Sequence, residues 1–377
     1  MDFSLTEEQQ AVLELARQIF ADYSAPEQLR GLERQDDPQG PFDASLWAAL
    51  AEAGLLSIGI PEAYGGAGLD FVATTQVALV AGETAAYVPV VATMVAGADT
   101  IARFGTTEQK ALWLPQIASG EVIATAATAE LTGGVIVDAL SSLSTTAKKV
   151  GEGYVLNGVK ACVPAGLRAQ IILIPAAIEG AGIGVFVVES SSLEKERQEG
   201  TFQPEALLTL RDVNVSGDRL LGGDGANGAE IVSTMAINVT AALCMLEAGA
   251  VTSAVNLGAQ YTAEREQFGK KIATFQAVGQ RLADAYVDAE AIRLTALQAA
   301  WRIATGVDAK QETEIAKFWA AEGGQRVVHA ATHVHGGVGV DRDYPLHRYF
   351  LLTRQIELTL GGATKNLLAL GSAAATK

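Results

Sequence analysis

Residues 229–264 form one long helical pattern without a proline, and three more follow over 281–305, 313–334 and 345–360 on short connections. Four long helices on such connections must each return along the one before, so the expectation is an antiparallel four-helix bundle. Within it, Leu282, Tyr286, Leu294, Leu297 and Trp301 are the expected core contacts of the 281–305 helix. Alanine is abundant and only 6% of the chain is aromatic, which favours closely packed helices.

The chain ahead of this bundle divides in two. Thr6 with Gln9 makes a capping box, after which Val12, Leu15, Ala16 and Ile19 fall on one helical face. Residues 46–53 repeat the pattern and stop at Gly54, suited to a left-handed helix end. Further helical segments are expected over 71–84 and 92–104, and Thr106 caps the next. From about 121 the character changes to short segments rich in Val and Ile: 135–143, 147–156, 169–175 and 184–189. Pairs such as Asn157-Gly158 and Ser216-Gly217 punctuate them. That spacing, with no intervening helices, argues for an antiparallel barrel or sandwich over a parallel sheet. The organisation read from the chain is therefore an N-terminal helical domain (1–120), a middle β-domain (121–228) and a C-terminal bundle (229–377), of class α+β.

The formal net charge of −16 repels nucleic acid and anionic membrane, so neither is an expected partner. Cys162 and Cys244 stand far apart in apolar settings and read as buried thiols in a reducing compartment. The first residues show no signal peptide, and no uninterrupted apolar run is long enough for a bilayer. A cytoplasmic location follows as the expectation. Gly223-Asp224-Gly225-Ala226-Asn227-Gly228 spells G-x-G-x-x-G, but no second strand follows within about 30 residues as a dinucleotide fold requires; it is read as a loop. His329, His333 and His335 lie near one another without an interleaved carboxylate or thiol, so no metal site is assigned.

Residues 261–280 are the chemically suggestive stretch. Arg265, Gln267, Phe268 and Gly269 fall in the turn between two long helices, and Phe275 and Gln276 open the second. Arginine forks onto phosphate and an aromatic ring packs on an apolar face, which suits a flat anionic ligand. A plain helical hairpin with a solvated arginine is the other reading of the same residues. The 333–339 stretch, His-Val-His-Gly-Gly-Val-Gly, ends a helix in glycines where a ligand can approach the backbone closely.

Together these pieces resemble the acyl-CoA dehydrogenase family, over nearly the whole chain. Ile60-Pro61-Glu62-Ala63-Tyr64-Gly65-Gly66-Ala67-Gly68-Leu69 is similar to its N-terminal signature. Phe104-Gly105-Thr106-Thr107-Glu108-Gln109-Lys110 is similar to the lead into its β-barrel. Tyr261, Arg265, Phe268, Gly269 and Gln276 match its most specific C-terminal motif, and residues 341–348 resemble the segment before its last helix. The resemblance implies the acyl-CoA dehydrogenase fold, with N-terminal helices, a middle β-barrel and a C-terminal four-helix bundle, and FAD bound between subunits. It also implies that Arg265, Gln267, Phe268, Gln276, His333, Gly336 and Gly337 contact the FAD of a neighbouring subunit. The implied reaction is α,β-desaturation of an acyl-CoA, in which a glutamate takes the α-proton and the flavin carries the redox step.

The departures are as informative. One family position for the glutamate, 22 residues before the motif tyrosine, falls on Val239, and the arginine that usually follows is Thr240. The other falls on Leu360 or Gly361. Where the family has Thr-Glu-Pro and Gly-Ser-Asp, this chain reads Ala127-Thr128-Ala129-Glu130-Leu131-Thr132-Gly133-Gly134. The flavin-facing strand, usually rich in Thr and Ser, reads Ala161-Cys162-Val163-Pro164. No catalytic residue is therefore assigned. The pattern resembles the non-catalytic subunit of heterotetrameric steroid side-chain acyl-CoA dehydrogenases, which implies an α2β2 assembly with a catalytic α-subunit that binds most of the acyl-CoA. Two alternatives are an autonomous homotetramer with a base elsewhere, at Glu247 or Glu357, and a family member that binds acyl-CoA or a partner without redox chemistry. Glu247 lies eight residues past Val239, more than two helical turns away.

Overall fold

The computed structural model describes residues 3–131, 134–135 and 143–375. In chain order the elements are α1 (Glu7–Tyr23), α2 (Pro26–Glu33), α3 (Ala44–Glu52), α4 (Phe71–Thr84), a π-helix (Val91–Asp99), α5 (Thr100–Phe104) and α6 (Thr107–Ala118). Among the described residues nine strands follow: β1 (Ala124–Ala126), β2 (Ala129–Glu130), β3 (Gly134–Val135), β4 (Thr146–Val150), β5 (Gly153–Pro164), β6 (Ile171–Ile178), β7 (Gly182–Glu189), β8 (Glu194–Gln198) and β9 (Glu205–Ser216). Then come α7 (Gly228–Glu264), the short strands β10 (Glu266–Gln267) and β11 (Lys270–Lys271), α8 (Gln276–Ala304), α9 (Lys310–His335), α10 (Leu346–Leu358) and α11 (Ala363–Ala375). The chain groups into two compact units that interleave along the sequence: 1–35 with 71–87 and 240–377, and 36–70 with 88–239.

The unit built from 36–70 and 88–239 contains one nine-stranded sheet, whose longest pairing joins β5 to β9. The sheet is mixed rather than purely antiparallel as expected, because β1 and β4 both run parallel to β6. Asn157-Gly158 is not a turn either; it lies inside β5 at a register shift against β9. Gly158 has φ +151°, and a Cβ there would stand 2.7 Å from Thr145 Cα, so the bulge brings two backbones together. Most of the strand expected over 135–143, together with Thr132 and Gly133, lies outside the described residues. Cys162, expected to be buried, is exposed, while Cys244 is buried. The sheet packs on helices through Ile101, Trp113, Leu114, Leu173, Val187 and Met235. The helical pattern expected over 92–104 opens as a π-helix, with Gly97 held against Ala124.

The other unit is helical. Thr6 and Gln9 form the expected capping box on α1, though Leu15 points outward. α7 crosses α4 backbone to backbone: a Cβ on Gly82 would lie 1.9 Å from the Leu246 carbonyl oxygen, and one on Gly249 2.0 Å from that of Leu79. The buried stripe of α8 is Ala285, Ala289, Ile292, Ala296, Leu297 and Ala300, whereas Tyr286 and Leu294 are exposed. Alanines let α8 and α9 approach closely, which turns the larger residues outward. α11 follows as a fifth helix beyond the four expected. α7 also has a window of mean hydropathy 1.6, long and apolar enough to cross a membrane, contrary to expectation; half of that window is buried inside the chain, as in a core helix.

Candidate functional site

The stretch between α7 and α8 is a miniature hairpin. Glu266 pairs with Lys271 and Gln267 with Lys270, leaving Phe268 and Gly269 at the tip with φ of +54° and +77°. Two successive positive φ values are what a two-residue hairpin turn demands, and a phenylalanine tolerates that poorly. Phe268 is nonetheless 91% exposed, its ring meeting Phe275 edge-on at 6.2 Å. The guanidinium of Arg265 is exposed and has no ion-pair partner among the described residues. Gln267 is exposed at the base of the turn. Phe275 occupies the N-cap of α8 and Gln276 its first turn, facing solvent. A groove of about 800 Å³ continues between α8 and α9, lined among others by Gln280, Arg281, Asp284, Arg326 and His329.

At the far end of α9, Gly336 terminates the helix at φ +62°, ψ −136°, a conformation open to glycine alone. Gly336 and Gly337 have nothing within 4 Å of a would-be Cβ, so their backbone is open. His333 is exposed, while His335 is buried. Nδ1 of His335 lies 2.7 Å from the Ala331 carbonyl and Nε2 3.0 Å from the Tyr344 hydroxyl. Sequence reasoning selected His333 and passed over His335, whose neighbours come from remote segments. The only signal available was its place directly before the glycines.

Neither position expected for a base carries one. Val239 is half-buried against the apolar cluster that includes Met235 and Val232. Leu360 and Gly361 form a turn with φ of +60° and +102°, its carbonyls held by Lys365 Nζ and Asn366 Nδ2. The two nearby carboxylates are committed elsewhere. Glu357 pairs with Arg354. Glu247 is wholly buried in the bundle, where burial pushes its carboxyl up to about 8, partly opposed by the Thr353 hydroxyl and the Lys317 ammonium.

On β5 the polar groups are occupied within the chain. Lys160, wholly buried, donates to Glu130 Oε1 at 2.6 Å. Glu130 also accepts from the Ser144 and Thr145 backbones; burial opposes its charge, but these bonds and Lys160 hold its carboxyl down at about 2. The Cys162 N–H donates to Gln198 Oε1 at 2.7 Å, and the Pro164 carbonyl accepts from Thr125 Oγ1 at 2.7 Å. Ala161 and Pro164 offer no side-chain donor.

Comparison with known proteins supplies the frame. The family descriptions "Acyl-CoA dehydrogenase, N-terminal domain" and "Acyl-CoA dehydrogenase, C-terminal domain" match residues 6–121 and 226–370. The chain is 35% identical to acyl-CoA dehydrogenase FadE27 of Mycobacterium tuberculosis over 98% of each sequence. It is similar to a chain in the crystal structure of the ChsE4–ChsE5 complex from the same organism, with a TM-score of 0.92, 35% identity and full coverage of both chains. A variant of the Tcur3481–Tcur3483 steroid ACAD gives 0.89 and 38% identity over 98% of each chain. With both terminal domains matched and close relatives aligned end to end, the chain belongs to the acyl-CoA dehydrogenase family.

Proposed function

We propose that this chain is a catalytically incomplete, FAD-completing subunit of a heteromeric acyl-CoA dehydrogenase that desaturates a bulky, steroid side-chain acyl-CoA in the cytoplasm. The carrying observation is an asymmetry within one chain: the Arg265–Phe268–Gln276 surface is open, whereas the two base positions are filled by Val239 and by the Leu360–Gly361 turn. FAD is the family's cofactor, and the hairpin fits one end of it. Arg265 would fork onto the pyrophosphate, Phe268 would cover an apolar face, and Gln267, Gln276 and His333 would supply donors beside the open Gly336–Gly337 backbone. When bound, FAD accepts the hydride removed from the acyl chain.

The β-domain does not fit the flavin ring in the same way, because Lys160, Glu130 and the Cys162 N–H are consumed by internal bonds. A partner chain therefore contributes the glutamate, the ring pocket and most of the acyl-CoA contacts, in an α2β2 assembly. Two relatives support this pairing: the ChsE4–ChsE5 structure is a complex, and the Tcur3481–Tcur3483 protein is a steroid ACAD.

The test is to purify the chain alone and together with an acyl-CoA dehydrogenase encoded beside it. Alone it is expected to carry little flavin and no dehydrogenase activity, and the co-purified complex to have both. A yellow, active homo-oligomer of this chain would overturn the proposal. In the complex, Arg265→Ala is expected to lower flavin content at least tenfold, the loss of a charge-assisted fork.

A further inference from the structure

The two turns assigned above to FAD, 265–276 and 336–337, leave different helices, and one side chain joins them. The ring of His335, last residue of α9, stacks on Tyr261 at 4.4 Å between centroids and 25° between planes. Tyr261 sits one turn before Arg265, whose N–H donates to the Tyr261 carbonyl at 2.9 Å. His335 also meets Tyr344, with ring centroids 5.0 Å apart, and Tyr344 in turn meets Tyr261 edge-on at 6.4 Å, so the three rings form one cluster. Its two nitrogens are both engaged, and the partners define the tautomer. A carbonyl only accepts, so Nδ1 carries the proton and donates to Ala331; Nε2 is left to accept from the Tyr344 hydroxyl. Gly339 closes the arrangement, since a Cβ there would stand 3.1 Å from His335 Cβ and 2.8 Å from the Thr332 carbonyl oxygen.

We propose that His335 is a positioning residue for FAD: as a neutral imidazole between Tyr261 and Tyr344, it locks the glycine turn of α9 against the Arg265 hairpin. The inference rests on the FAD reading of that hairpin. Its physical content is that neither turn is held by ligand-facing residues. The tip carries an exposed Phe268, and nothing stands within 4 Å of a Cβ built on either glycine, so their relative placement must come from behind. Protonation would strain the joint: it puts a charge on a buried ring, and Nε2, now an N–H donor, makes the Tyr344 hydroxyl turn from donor to acceptor. The polar groups against the ring are Tyr261, Tyr344 and the Ala331 carbonyl, with Glu264 acting on Tyr344 from α7; burial of the imidazole favours its neutral form.

The experiment uses the co-purified complex and reads the apparent affinity for added FAD by flavin fluorescence, from pH 8 to 5, alongside thermal stability. His335→Phe keeps the stack but loses both hydrogen bonds and the titration; Tyr344→Phe removes only the hydroxyl. Both are expected to bind FAD about three- to tenfold more weakly at pH 8, the range for losing one or two neutral hydrogen bonds. Unmodified complex is expected to lose affinity on acidification, at a pH below the ordinary histidine range because burial favours the neutral ring, and His335→Phe to lack that step. If Arg265→Ala weakens FAD while both variants bind as the parent does at every pH, the positioning role is wrong and the hairpin site stands. If Arg265→Ala itself changes nothing, the hairpin is not the site and the inference falls with it. Should His335→Phe fail to assemble, Tyr344→Phe decides between these outcomes.

Discussion

Glu247 shows how a single residue can look catalytic in a sequence and be something else in the fold. Neither of its oxygens makes a well-aligned hydrogen bond among the described residues, although the Thr353 hydroxyl is near enough to favour its charge, and Gly324 lies so close that a Cβ there would stand 2.2 Å from Oε1. Cys244, Lys317, Thr353 and Glu357 surround it electrostatically, while the Lys317 ammonium is spent on the Ile356 and Glu357 carbonyls at the end of α10. A carboxyl raised from 4.5 to about 8 by burial binds its proton more tightly folded than unfolded. Its contribution to stability is therefore complete below about pH 4.5 and is lost as the pH climbs to about 8. Glu247→Gln keeps the shape and cannot ionise. It is expected to be more stable than the parent by on the order of 4 kcal/mol at pH 8, with the difference vanishing near pH 4.5. Chemical denaturation across that range measures it, and a pH-independent difference would show that Glu247 does not titrate within it.

At the scale of elements, α4 and α7 meet where Gly82 and Gly249 face each other's backbones. No rotamer relieves a clash with a carbonyl oxygen, so the helices must separate if either glycine gains a methyl. Gly249→Ala is expected to cost about 1–3 kcal/mol, the range for overpacking a tight core, read as a lower denaturation midpoint; an unchanged midpoint would mean that the crossing is loose. This scale also shows what the sequence made readable. Capping boxes at Thr6 and Thr106 and the Gly54 stop are local, so they could be read directly. So could the helices that end at Glu264 and begin at Gln276, because the Phe268-Gly269 turn and the Phe275 cap lie in the stretch between them. The π-helix over Val91–Asp99 could not be read, since its packing against β1 is a tertiary matter. The same holds for α8, where periodicity marked Tyr286 and Leu294 as apolar but could not tell a core contact from a surface awaiting a partner. His335 was missed because its meaning lies in rings brought from Tyr261 and Tyr344.

For the whole molecule, the exposed large apolar residues are unevenly placed. Among the described residues, Phe268, Tyr286, Val287, Val340, Leu358, Leu367 and Leu368 are more than half exposed in the C-terminal helical region, against Leu131 and Val150 in the β-domain. Scattered single residues of this kind need no explanation, but a concentration in one region marks an interaction surface. Leu367 and Leu368 stand on α11, apart from the FAD-directed hairpin, with no buried side chain near them in that helix other than Asn366. A charge there tests assembly without touching the cofactor residues. Leu368→Glu is expected to leave the folded chain's thermal stability within about 0.5 kcal/mol of the parent, as surface substitutions do. It is also expected to weaken association with the catalytic partner at least tenfold, because the interface would have to desolvate an unpaired carboxylate. Size-exclusion chromatography of the co-expressed pair, with dissociation followed on dilution, reads this directly. Loss of the complex with retained stability would place α11 in the subunit interface. An intact complex would confine the partner's contact to the hairpin and α8, where Val287→Glu is the corresponding probe.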